Sequence, residues 1–192
     1  MMIKLAQRDQ MVVGLGLILM MALTRGQHFA SVDHLPSASW AVFFLAGVFL
    51  RPLWAFPLLF LESVLLDISS LGLGGAASHC ITQAYAMLVP AYASLWYAGR
   101  MYARLHVDSL KTLGSLLGCL LVGAFVCNLF SSGGYYYLSG NFETTSLAGL
   151  WGRIEQYFPA KLWTLLGYTG MAAMLYTLSR QFKTWKEINS HE

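Results

Sequence analysis

At 192 residues, with 57% hydrophobic and only 11% charged residues, the chain carries too few charges to cover a soluble globule of its size. Its net charge of +3 comes from basic residues scattered singly between apolar segments, a pattern that argues against a nucleic-acid partner. Cys80, Cys119 and Cys127 lie in or beside apolar segments without C-x-x-C spacing, which indicates neither a disulfide framework nor a zinc ribbon.

Taken in chain order, the apolar runs predict an all-α membrane protein, a single domain over 1–192 with six transmembrane helices at about 9–25, 37–50, 53–70, 80–99, 111–131 and 157–179. The first run follows MMIKLAQRDQ as a signal peptide would. TRGQHF after it offers no small-x-small cleavage site, so it reads as a retained helix. Only Arg51 and Pro52 separate the second and third runs, which predicts a tight hairpin, with a bent re-entrant pair as the competing reading. With the N-terminus inside, Lys4, Arg8, Arg51, Arg100, Arg104, Lys111, Arg180, Lys183 and Lys186 fall on the cytoplasmic side, and Arg25, Arg153 and Lys161 on the outer side. That asymmetry predicts both termini in the cytoplasm. The long connections, about 26–36 and 132–156, then lie outside, where loops of this length tend to serve binding. The second is rich in glycine and aromatics: Gly133, Gly134, Tyr135, Tyr136, Tyr137, Trp151 and Tyr157.

Candidate chemistry gathers at the same mouth. Glu62 and Asp67 are the acids of the spans proper, both on the third helix. Asp67, nearer the outer end, is the better site candidate, whereas Glu62 reads as a carboxyl buried neutral or bonded to a neighbouring helix. The stretch GLGGAASHCITQAYA runs from a glycine-rich outer turn into the fourth helix. There Cys80 is expected in the first turn, where the positive end of the helix dipole favours thiolate; inert packing of a small residue is the plainer reading of a lone cysteine. On an α-helical wheel His79 pairs with Gln83, and Tyr85 lies about 140° from Cys80, a separation that suits a broad ligand. His28, Arg153 and Asn141 fall on the same side. Cys119 and Cys127 read as packing, and Gly114 with Gly118 as a small-x-x-x-small pair for close helix contact within the fold or with a partner.

About 190 residues in six helices with an outward site resembles the substrate-binding S-components of energy-coupling-factor (ECF) vitamin transporters. SHCITQAYA with Asp67 before it, TRGQHF after the first helix and WGRIEQYF before the last resemble more narrowly the BtuM family of cobalamin transporters, over essentially the whole chain. The resemblance implies cobalamin uptake across the bacterial inner membrane, with the site facing the periplasm. It implies Cys80 as a ligand of the corrinoid cobalt, with a role in displacing an upper cyanide, and His28, Asp67, Tyr85 and Arg153 as further site residues. A soft thiolate suits a late transition metal. The A-x-x-x-A docking motif common in the first helix of the wider group is absent; Gly14, Gly16 and Ala22 stand at other spacings, so a solitary protein without a dedicated ATPase module is expected. The chain also lacks the P-loop pattern G-x-x-x-x-G-K-[ST].

Two readings compete. A soft-metal-ion transporter or sensor would use His28, His79 and Cys80. A rhomboid-like protease is suggested only by Ser132 before Gly133, with no histidine in the last helix to serve as base.

Overall fold

The computed structural model describes residues 5–25, 35–71, 83–107, 109 and 111–189. Among them the chain is all-α: α1 (Gln7–Thr24), α2 (Ser39–Phe49), α3 (Ala55–Leu71), a 3₁₀ segment at Gln83–Met87, α4 (Leu88–Leu105), α5 (Lys111–Leu138) and α6 (Leu147–Asn189).

The second apolar run is the centre of the bundle. Its sequence SWAVFFLAGVF is apolar all round, the pattern of a helix with no solvent face, and Ser39 and every residue from Ala41 to Val48 are buried. α2 lies directly on α4, backbone against backbone. A Cβ on Gly47 would strike the Trp96 carbonyl, and one on Gly99 would strike the Phe44 carbonyl, so each glycine admits the other helix. Phe43 stacks on Tyr92 with ring centroids 4.4 Å apart. Between α2 and α3 the chain turns at 50–54, and Pro57 occupies the first turn of α3, where its missing N–H costs nothing. The result is two separate helices, α2 and α3.

α4 and α5 run antiparallel in a register set by two more small residues: Gly123 faces Ala98, and Gly134 faces the side chain of Met87. The expected pair, Gly114 and Gly118, does not make the close contact within the fold; a Cβ added at either would meet nothing within 4 Å. Gly118 instead lines an outer groove of about 420 Å³ between α4 and α5, with Tyr97, Met101 and Val122.

Three boundaries differ from expectation for local physical reasons. The fourth α-helix begins at Leu88 rather than near residue 80, which puts Pro90 in the first turn instead of the interior that it would break. The expected loop 132–156 is mostly helix: α5 continues to Leu138, and α6 starts at Leu147 and runs through Pro159. Gly133 and Gly134 lie within the helix, and Gly134 packs so closely on Met87 that a side chain there would clash. The turn glycine is Gly140, at φ +72°.

The described residues contain one helix, Thr112–Leu138, that is long and apolar enough to cross a membrane, and not six. α2 is apolar, but its 11 residues span only about 16 Å at the usual helical rise. α1 opens on Gln7, Arg8, Asp9 and Gln10, α3 carries Glu62 and Asp67, α4 carries Arg100 and Arg104, and α6 mixes Arg153, Glu155 and Lys161 with glycine and tyrosine. Polar groups therefore dilute every long helix except α5.

Candidate functional site

α1 ends at Thr24, whose hydroxyl donates to the Met20 carbonyl at 2.8 Å and accepts from Ala38 N–H at 3.0 Å, joining the end of α1 to the start of α2. The next residue, Arg25, is extended and buried, 8% exposed. It turns inward to serve three other helices. Its Nε and Nη2 donate to the two Asp67 carboxylate oxygens, each at 2.8 Å, the two-pronged geometry that makes Arg–carboxylate pairs strong and directional. Its Nη1 donates to Ser39 Oγ at 2.8 Å and to the Tyr92 hydroxyl at 2.9 Å. Tyr85, from the 3₁₀ segment, donates its hydroxyl to Asp67 Oδ2 at 2.7 Å.

Asp67 and Tyr85, both expected at the site, are thus brought into direct contact. The bond is charge-assisted and part-buried, so Tyr85→Phe is expected to lower stability by about 1–2 kcal/mol. A thermal melt of the detergent-solubilised protein checks it. Arg25 is the residue that sequence reasoning missed as a site member, having counted it only as an outer cation. The available signal was its place at the end of the first apolar run, facing a third helix that carries two acids and no base.

Arg153 belongs to a second cluster at the α5–α6 corner. Its guanidinium lies 5.8 Å from the ring centroid of Tyr135, 6.0 Å from Tyr136, 4.9 Å from Phe142 and 5.4 Å from Tyr157. Four rings around one cation spread its charge over their negative faces, while its Nε is buried without a hydrogen-bond partner among the described residues. Tyr135, Tyr136 and Tyr157, expected in a loop, stand instead on α5 and α6 and form this cage with Phe142. Asn141 reinforces it by donating to the Tyr135 hydroxyl at 3.0 Å, and Tyr136 accepts from Ser146 N–H at 3.1 Å. The Lys161 ammonium sits 5.3 Å from the centroid of the Trp40 ring.

His28, His79 and Cys80 lie outside the described residues. The expected wheel does not carry over to Tyr85 and Gln83, because 83–87 winds as 3₁₀ helix at three residues per turn, and the α-helical first turn begins eight residues after Cys80. Cys119 and Cys127 are free thiols in the buried core. Ser132, the only hint of a serine nucleophile, donates its hydroxyl to Asn128 Oδ1 at 2.9 Å rather than to a base. Among the described residues no three His, Cys, Asp or Glu side chains gather where they could hold a metal ion. Compared with protein-family models and with curated proteins, the chain matches none.

Proposed function

We propose that the chain is a solitary, S-component-like cobalamin uptake protein of the bacterial inner membrane, with both termini in the cytoplasm and a corrinoid site facing the periplasm. The observation that carries this reading is the Arg25–Asp67–Tyr85 cluster. Two residues assigned to the site by resemblance, 18 apart in sequence, meet at one end of the bundle, and the cysteine-bearing segment SHCIT lies between them in the chain.

The bundle exterior supports embedding in lipid. Met11, Leu15 and Leu19 on α1, Leu61, Leu65 and Ile68 on α3, Leu117, Leu121 and Val122 on α5, and Trp163, Met171 and Leu175 on α6 are all exposed. Apolar faces on four helices far exceed what water tolerates on a monomer. Arg25 and Asp67 meet on the inside of the bundle, as an intramembrane site requires.

In this reading cobalamin is the cargo and its cobalt the atom that Cys80 meets. A thiolate donates strongly into the metal and weakens the bond on the opposite face. An upper cyanide then leaves with its bonding pair as cyanide ion, and cobalt keeps its oxidation state. Asp67 and Tyr85 offer a carboxylate and a hydroxyl to the polar rim of the corrin, and Arg153 a cation with a stacking surface. Uptake of labelled cobalamin by cells that depend on this protein tests the reading. Cells carrying the wild type are expected to accumulate it and cells carrying Asp67→Ala to lose most of that uptake; equal accumulation with and without the protein would overturn the proposal.

A further inference from the structure

α5 is the one described helix apolar enough to span a membrane, yet it buries an amide in its middle. Leu120, Ala124, Cys127 and Asn128 form its inward face, and Asn128 is 0% exposed. Its carbonyl oxygen is taken by the Ser132 hydroxyl at 2.9 Å, which fixes the amide plane and turns Nδ2 the other way, where it has no partner among the described residues. One turn away on the same face, the buried Ser131 hydroxyl is also unpartnered. Buried donors left unmet are costly, and two on one face of an apolar helix point to a ligand rather than to packing.

Register sets the height of this edge. Gly123 faces Ala98 and Gly134 faces Met87 across the antiparallel α4–α5 pair, so Asn128 lies level with Tyr92. Tyr92 is the phenol that Arg25 bonds at 2.9 Å. The edge therefore lies on the inward face of α5, at the level of the phenol that Arg25 bonds.

We infer that Asn128 and Ser131 form a recognition edge for a carboxamide on the rim of the cargo, Asn128 Nδ2 and the Ser131 hydroxyl both donating to its carbonyl oxygen. This deepens the cobalamin reading and rests on it, since a corrin rim carries primary carboxamides.

Equilibrium binding of cobalamin to purified wild type, Asn128→Leu, Asn128→Asp and Ser131→Ala, each with its thermal midpoint measured without ligand, tests the inference. Asn128→Leu is expected to weaken binding about tenfold, equivalent to about 1.4 kcal/mol, with a ligand-free midpoint equal to or above that of wild type. A residue that serves packing alone would lower the midpoint instead. Asn128→Asp keeps the size but removes the donor and is expected to weaken binding as much, which answers the question if the leucine variant does not fold. Binding within twofold of wild type in Asn128→Asp and Ser131→Ala overturns the inference and leaves the cobalamin reading standing. A wild type that binds no cobalamin overturns both.

Discussion

Arg25→Leu is expected to be the most damaging single side-chain change at the site, lowering stability by about 3–5 kcal/mol, because it strands the Asp67 carboxylate with its principal counter-charge gone. The loss also removes donors from Ser39 and Tyr92, so four helices are released from one another at the same end. Arg25→Lys restores the charge but cannot reproduce the fork that spans both Asp67 oxygens while reaching Ser39 and Tyr92. Only partial recovery is expected. The double variant Arg25→Leu with Asp67→Asn gives the sharper result. Removing both charges is expected to recover most of the lost stability, since breaking a buried pair from one side costs more than deleting it whole. Ligand binding is not expected to return with stability, because Asp67 itself is a proposed contact. Denaturation midpoints and binding measured on the same preparations check both halves.

The second large effect lies in the α2–α4 contact. Gly47→Ala and Gly99→Ala each place a methyl group against a backbone carbonyl of the opposite helix, Trp96 and Phe44 respectively, and backbone cannot swing aside as a side chain can. Each is expected to cost several kcal/mol, about 3 or more on the scale of severe overpacking, and to reduce the yield of folded protein in detergent. Gly114→Ala and Gly118→Ala are the internal controls. Nothing lies within 4 Å of the added methyl at either position, and alanine is the better helix former by about 1 kcal/mol, so both are expected to be neutral or mildly stabilising. Comparable losses at all four positions would contradict the described packing.

The contrast between these glycine pairs shows what was legible in the sequence. The G-x-x-x-G spacing of Gly114 and Gly118 was visible, but spacing alone does not say which face of α5 meets α4. The glycines that do make contact, Gly47 and Gly99, stand on different helices, where no local pattern marks them. The helix count and the centres of the helices were readable from apolar runs. Their ends were not. Gly133, Gly134 and the tyrosine triplet have a loop-like composition, yet Met87, Leu150 and Arg153 supply the tertiary contacts that hold them in helix. Asp67 and Tyr85 were legible as outer polar residues on consecutive segments. Their bond, and the arginine that organises it, depend on Arg25 turning inward, and only the three-dimensional partners Ser39 and Tyr92 reveal that. Asn128 escaped notice because it closes a long apolar run in α5, Leu116 to Cys127, and its burial next to that run is what makes it costly.

The most direct test of the central claim is the visible absorption spectrum of the protein purified from cells grown with cobalamin, compared with that of Cys80→Ala. Wild type is expected to be red, with cobalt bands that shift when the thiolate is removed. A colourless wild type, or a red one whose spectrum is the same in Cys80→Ala, would contradict a cobalt-bound cysteine, and the colourless result would contradict corrinoid binding as well.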